Sequence, residues 1–134
     1  MLFRKTLLVA SMVGAALLGG CLHPPKNSGV VVVGGKVWVY DPAFAVNIQL
    51  VKDDMTRTPQ GFLHVQTTLQ NTNHEDWNCQ YRFVWFDASG MEQTHAPTIL
   101  RPCVLHGMQT TVLEAVSPLQ GTASFRLELR PGRY

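Results

Sequence analysis

Short segments in which apolar and polar residues alternate recur along the chain from residue 30 onward, and this pattern constrains the fold most. It is clearest in FLHVQTTLQ (62–70) and SFRLELR (124–130), where every second residue is suited to one buried face of a strand. Turn-forming residues separate such segments, as in NTNHED (71–76) and DASG (87–90). No segment carries the pattern of a long helix. The sequence therefore predicts an all-β chain.

Seven or eight short strands with turn residues between them favour an antiparallel β-sandwich over residues 30–134. Within it, residues 30–40 (VVVVGGKVWVY) are expected to form one strand with a bulge or a break at Gly34 and Gly35. Asp41 and Pro42 are suited to the N-cap and first position of one helical turn. Strand order does not follow from the pattern.

The most aromatic segment, YRFVWFDASG (81–90), is expected to be a central strand that ends in a type I turn. A period of two places Tyr81, Phe83 and Trp85 on one face, and residues 82, 84 and 86 on the other. Three large rings on one face are typical of the inward face of a sandwich strand, where each ring buries roughly 150–250 Å². The segment is therefore interpreted as core rather than as an exposed aromatic binding platform.

The first 21 residues have the layout of an export signal. Arg4 and Lys5 precede an uncharged, mostly apolar run over residues 6–20, which is too short for a convincing membrane span. The run ends in LGGC (18–21), which resembles a bacterial lipobox, so Cys21 is the expected lipidation site. The alternative is an ordinary signal peptide with a cysteine nearby.

This reading predicts a lipoprotein signal peptide at residues 1–20, a lipidated tether at 21–29 and one domain at 30–134. Several acyl chains on one residue suffice for stable anchoring. Leu22 follows the cysteine in place of an aspartate that would signal inner-membrane retention. In a Gram-negative cell, the expected location is the outer membrane, with the domain facing the periplasm.

Charge is balanced once the signal segment is set aside. The formal net charge of +2 comes from the two basic residues of that segment, which leaves nine basic and nine acidic residues. No basic run is present. The sequence therefore argues against a nucleic-acid partner and against a polybasic membrane-binding mechanism.

Cys79 and Cys103 are the two cysteines that remain beside Cys21. In an oxidising compartment they are candidates for a disulfide, which would stabilise the fold by roughly 3 kcal/mol through loop closure. Two free buried thiols and a redox site are the alternatives. The sequence lacks a CxxC motif and a neighbouring cation that would activate either thiol.

Four segments resemble the YcfL-like family of small bacterial envelope lipoproteins: VWVYDPAFAVNIQLV (37–51), GFLHVQTTLQNTN (61–73), QYRFVWFDASGME (80–92) and TTVLEAVSPLQGTASFRLELR (110–130). The aromatic segment is the most specific of them, whereas Cys79 and Cys103 are not part of the family pattern. The resemblance implies an immunoglobulin-like sandwich on a lipid anchor. It implies no established activity. The genes of this family are associated with a lipoprotein activator of a peptidoglycan synthase. The resemblance therefore raises a role in cell-wall maintenance as a hypothesis.

Residue patterns for catalysis or metal binding are absent from the sequence. The five histidines have neither HxH nor i, i+4 spacing. No GxSxG elbow or phosphate-binding glycine loop occurs, and the acidic pairs at 53–54 and 75–76 are adjacent residues of polar links. The sequence predicts no catalytic residue, no metal and no cofactor.

Binding is the function class that remains. The first hypothesis is a non-enzymatic interaction or structural module for an envelope protein. Its docking strand would carry Lys36, Trp38 and Tyr40 and would pair with the partner as an exposed sheet edge. The alternative for this strand is ordinary pairing inside the sheet. The second hypothesis is binding of a small ligand in a pocket in or between the sheets.

Overall fold

The computed structural model describes residues 29–94 and 98–132. The expected signal peptide at 1–20, the lipidation site Cys21 and tether residues 21–28 lie outside the described residues. No helix in the described ranges is long and apolar enough to cross a membrane.

Eight strands and one short helix make up the described fold. In chain order they are β1 (Val31–Val33), β2 (Val37–Val39), α1 (Pro42–Ala45), β3 (Ile48–Arg57), β4 (Leu63–Asn71), β5 (Trp77–Asp87), β6 (Arg101–Leu105), β7 (Thr110–Val116) and β8 (Thr122–Pro131). The expected helical turn is present as α1. The Asp41 side chain accepts a hydrogen bond from the Phe44 N–H, and Pro42 opens the helix.

The strands form two sheets that share one core. The five-stranded sheet has the order β1-β2-β8-β5-β6, and the three-stranded sheet has the order β3-β4-β7. Neighbouring strands are antiparallel except for β2 and β8, which are parallel. The predicted β-sandwich is confirmed. β2 and β8 can pair in parallel because β3 to β7 lie between them in the chain and supply the long connection that parallel pairing needs.

The period-two patterns correctly predicted which side chains enter the core. On β4, Leu63, Val65 and Leu69 are buried at alternate positions. On β5, Phe83 and Trp85 are buried with their ring centroids 5.7 Å apart, and Tyr81 packs against the same cluster. The aromatic segment is therefore core, and its opposite face is directed out of the sandwich.

Residues 30–40 form two strands rather than one. Gly34 and Gly35 have φ values of 59° and 78°, and these left-handed conformations turn the chain into a β1–β2 hairpin. Val33 pairs with Val37 across the turn. β2 therefore lies between β1 and β8, and only the three-residue β1 lies at that edge of the sheet.

Candidate functional site: the outer face of the five-stranded sheet

Strand β8 places three charged residues on the outer face of the five-stranded sheet. Its apolar residues Leu127 and Leu129 are fully buried in the core. The period of two therefore directs Arg126, Glu128 and Arg130 to the opposite face. Because β8 lies between β2 and β5, these side chains are flanked by residues of both neighbours.

Glu128 is the centre of a charge cluster on this face. Its side chain is only 1% exposed although it lies outside the hydrophobic core. Its Oε1 accepts a hydrogen bond from Arg82 Nε at 2.8 Å, and its Oε2 accepts from Arg126 Nη2 at 2.8 Å and Nε at 3.1 Å. Arg130 Nη2 lies 3.6 Å from Oε1. Three guanidinium groups thus share one carboxylate, which leaves an excess of positive charge.

The arginines determine the ionisation of Glu128. Burial acts to raise the pKa of this carboxyl, but hydrogen bonds from Arg82 and Arg126, together with their charges, outweigh it and hold the pKa below its ordinary value of 4.5. The Tyr40 hydroxyl donates a hydrogen bond to Glu128 Oε2 at 3.3 Å. Burial and the negative charge of Glu128 raise the pKa of Tyr40, so both the phenol and the carboxylate keep their usual forms at neutral pH.

Aromatic rings lie beneath two of the guanidinium groups. Arg126 lies 3.9 Å from the ring centroid of Trp38 and 5.4 Å from that of Phe86, and Arg130 lies 4.4 Å from that of Tyr40. These distances are within the range of cation–π contacts. We call this surface the arginine–aromatic face; it comprises Trp38, Tyr40, Arg82, Phe86, Arg126, Glu128 and Arg130.

The arrangement holds the guanidinium groups in place while leaving part of each exposed. The side chains of Arg82, Arg126 and Arg130 are 29%, 17% and 38% exposed. A guanidinium carries five N–H donors, and the contacts with Glu128 use only some of them. The remaining donors can bind a carboxylate or another planar anion, with little ordering cost because the rings and Glu128 already restrict the side chains.

The structure separates the three residues of the predicted docking strand. Trp38 and Tyr40 lie on the arginine–aromatic face. Lys36 instead reaches the other sheet, where its Nζ lies 3.0 Å from Asp53 Oδ2 of β3. The same Nζ lies 4.8 Å from the ring centroid of Phe125 on β8. Docking at this segment as an exposed edge is wrong, because β2 is paired with β1 on one side and with β8 on the other.

Cys79 and Cys103 are brought together on neighbouring strands. They are directly opposed in the β5–β6 register, with a Cα–Cα distance of 5.3 Å, and their sulfur atoms are in bonding contact. That Cα separation is typical of a disulfide. The pair lies near the edge of the five-stranded sheet and away from Arg126 and Glu128, so we assign it a structural role.

A cleft of about 390 Å³ opens between the sheets on the β6–β7 side. β6 pairs only with the first half of β5, Trp77 to Tyr81, so the rings of Phe83 and Trp85 reach the wall of this cleft. Arg101 also lines it. Within the described ranges, no three His, Cys, Asp or Glu side chains are grouped as metal ligands.

The residue pattern indicated Trp38 and Tyr40 as candidate binding residues but did not indicate the charged part of the face. The signal was present in RLELR (126–130), where charged residues alternate with leucines on a predicted strand. The sequence could not show which strands flank β8. Without that order, nothing indicated that Arg82 and Glu128 are cross-strand partners or that Trp38 lies on the other side of Glu128.

Two solved structures are similar to this fold. One is Cj0090 of Campylobacter jejuni, with a TM-score of 0.55 and 17% identity over 62% of this chain and 85% of that chain. The other is a DUF1425 family member from Shewanella sp. pv-4, with a TM-score of 0.56 and 23% identity over 65% of this chain and 80% of that chain. Identities this low support the shared fold alone.

None of the curated proteins compared with the chain matches it. The family profile described as "Protein of unknown function (DUF1425)" matches residues 35–131, which span most of the chain and nearly all of the sandwich. The chain therefore belongs to the DUF1425 family.

Proposed function

We propose that this chain is a YcfL-like lipoprotein, anchored through Cys21 in the outer membrane, whose sandwich domain faces the periplasm and binds another envelope protein without catalysing a reaction. The signal-like segment, the LGGC motif and the resemblance of four segments to YcfL-like proteins support the anchor and the location. A role in cell-envelope or peptidoglycan maintenance is the corresponding physiological setting.

The observation that carries the binding function is the arginine–aromatic face. Arg, Trp and Tyr are the residue types that most often dominate binding energy at protein interfaces. Here they are concentrated on one sheet face, where Trp38 and Tyr40 stack with Arg126 and Arg130. The excess positive charge around Glu128 favours a partner surface that presents carboxylates.

The anchor is tested by replacing Cys21 with serine in the full-length chain. We expect the native protein to incorporate a labelled fatty acid and to fractionate with outer membranes, and the Cys21→Ser variant to lose both properties. Incorporation of label into the variant at the native level would contradict lipidation at Cys21 and leave the binding function to be judged separately.

The binding function is tested by photo-crosslinking in intact cells from two positions on the face. Val32 is the register partner of Trp38, and Gln80 is the register partner of Arg130, so a photoreactive residue at either position lies beside the face without replacing a member of it. Gln49 on β3, an exposed residue of the other sheet, is the control position. We expect one crosslinked protein from the two face positions and none from the control.

A second variant links that crosslink to the arginines. Arg130→Ala removes the most exposed guanidinium of the face, whereas Arg101→Ala removes an exposed arginine of β6 that lines the cleft instead. We expect Arg130→Ala to weaken the crosslink and Arg101→Ala to leave it unchanged. Equal crosslinking in both variants, or from Gln49, would refute the proposal.

The cleft between the sheets favours a second candidate function, binding of a small ligand. Its volume of about 390 Å³ and its lining of aromatic rings beside Arg101 would suit a small molecule with an apolar body and an anionic group. Native mass spectrometry of the protein purified from envelopes would show a bound mass. That mass should be lost in Ala115→Phe, which fills the cleft, and kept in Arg130→Ala.

A further inference from the structure

Three of the four edge strands of the described sandwich carry a feature that hinders pairing with another strand. β1 has only three residues, and β6 has five and includes Pro102. β3 is longer, but its register shifts between Leu50 and Lys52, and acidic residues follow the shift. Short length, proline, bulges and charged residues are the usual ways in which proteins protect sheet edges.

β7 has none of these features. Its seven residues, TTVLEAV, contain no proline and no lysine, and its register with β4 runs without a shift from Thr110 to Val116. Its other side faces no strand of the described chain. β7 is therefore the edge strand best suited to pair with a strand of another molecule.

The backbone groups that point away from β4 can be assigned from the neighbouring hydrogen bonds. The Asn71 N–H donates to the Gln109 carbonyl, and the Ser117 N–H donates to the Leu63 carbonyl. In an antiparallel pair the bonding direction alternates, so the odd-numbered residues of β7 bond to β4. The N–H and C=O groups at 110, 112, 114 and 116 consequently point outward from the sheet edge.

The side chains of these same residues make the edge apolar rather than charged. Val112 and Val116 are 56% and 51% exposed. Glu114 is the only charged residue of the strand, and its carboxylate accepts a hydrogen bond from Gln66 Nε2 at 2.8 Å and contacts His64 Nε2 at 3.3 Å. Both partners are on β4, so the charge is directed away from the free edge.

We propose that two copies of this chain pair through β7 in antiparallel orientation, with Val112 opposite Val112 of the partner subunit. This register places Glu114 opposite Thr110 of the partner subunit, and Val116 towards Met108 of the partner subunit, which is also exposed. A register centred on Glu114 would bring two carboxylates together, which is unfavourable. The two three-stranded sheets would then form one continuous six-stranded sheet.

The contact is expected to close as a dimer. Head-to-tail growth would require β7 to pair with a different edge, and β1, β3 and β6 are the protected ones. A two-fold contact uses the same strand of both copies, so no free β7 remains. The surface buried by one strand pair is below the roughly 800 Å² per partner of a standard interface, so we expect a weak, concentration-dependent dimer.

Disulfide trapping of the full-length chain, purified in detergent, tests the register directly. Directly opposed residues in a hydrogen-bonded antiparallel pair have Cα atoms about 5.5 Å apart, which suits a disulfide. Val112→Cys should therefore crosslink to itself under mild oxidation. Val51→Cys is the matched control, because Val51 is a similarly exposed valine at 55% exposure on the protected β3 edge.

We expect covalent dimer to form on the order of ten-fold faster from Val112→Cys than from Val51→Cys, because only the first pair is held at disulfide distance. Sedimentation of the wild-type chain should show a concentration-dependent dimer that Val112→Lys abolishes and Val51→Lys does not. Equal trapping rates, or a wild-type chain that remains monomeric at the highest concentration, would overturn the proposal. Neither result bears on the arginine–aromatic face, which belongs to the other sheet.

Discussion

Replacing Glu128 with glutamine tests whether the buried carboxylate organises the arginine–aromatic face. The substitution keeps the shape of the side chain and removes only its charge and one acceptor oxygen. The glutamine carbonyl can still accept a hydrogen bond from Arg126. Its amide N–H groups, however, would face the Nε–H donor of Arg82, which now meets a donor in place of an acceptor.

The expected loss in the free energy of unfolding follows from the contacts that Glu128→Gln removes. A hydrogen bond to a charged group contributes about 1.5–3 kcal/mol, and removal of one partner from a buried ion pair typically costs about 3–5 kcal/mol. Arg82 and Arg130 are 29% and 38% exposed, so water can solvate part of the released charge. We therefore expect Glu128→Gln to lower the free energy of unfolding by about 3 kcal/mol, towards the lower end of that range.

Urea unfolding followed by tryptophan fluorescence measures this change, because Trp77 and Trp85 are buried in the native state. Glu114→Gln is the matched control: the same chemical change on a glutamate whose side chain is 58% exposed should alter stability little. A loss below about 1 kcal/mol for Glu128→Gln, or a loss equal to that of the control, would refute the reasoning.

We also expect the stability of Glu128→Gln to depend on pH differently from that of the wild type. The pKa of Glu128 in the folded chain is lower than its ordinary value of 4.5, so the unfolded chain binds a proton at this group first as the pH falls. The contribution of Glu128 is therefore complete above that ordinary value and is lost as the pH falls through the folded pKa. We expect the stability difference between wild type and Glu128→Gln to shrink in this acid range; a constant difference would contradict the assigned pKa direction.

Two further predictions concern the framework that supports the face. Peptide mapping under non-reducing conditions should recover Cys79 joined to Cys103, and the double serine variant should lose roughly 3 kcal/mol of stability; free thiols on both residues would exclude the bond. Gly107→Ala should destabilise the fold strongly, because a Cβ at this position would lie 2.2 Å from the His74 carbonyl oxygen. Gly90→Ala, which has a φ of 84° and open space around it, should cost only about 1 kcal/mol, and equal losses in both variants would contradict the steric argument.

The two proposed surfaces of this domain are on different sheets and have different chemistry. The arginine–aromatic face is a cationic sheet face suited to side-chain contacts with a partner. The β7 edge is an apolar strand suited to backbone pairing with a second copy. A dimer formed through β7 would leave Trp38, Tyr40 and Arg130 of both faces free, since they lie on the other sheet and do not line the cleft beside β7. The two proposed interactions are therefore compatible.

Local sequence determined the elements of this fold and the direction of most side chains. A period of two requires no knowledge of neighbouring strands, so the inward residues of β4 and the rings of β5 followed from the sequence, as did the Asp41 N-cap. The polar link expected from residue 53 is wrong in its first half, because β3 continues through Asp53 and Asp54 to Arg57. For residues 30–40, the sequence does not decide between a bulge and a break. There, two glycines can accommodate either a bulge within one strand or a reversal between two, and only packing distinguishes these outcomes.

Tertiary structure decided the neighbours of each strand, and the candidate site depends on those neighbours. Arg82, Glu128 and Trp38 come from β5, β8 and β2, which are far apart in sequence and adjacent only in the five-stranded sheet. The sequence places Glu128 on an outer strand face, where a carboxylate is ordinarily solvated. Its burial follows from the strand order, because β5 supplies Arg82 and β2 supplies Trp38, which exclude water from it together with Arg126 and Arg130 of β8 itself. Strand order depends on long-range pairing energies, which alternation within a single segment does not encode.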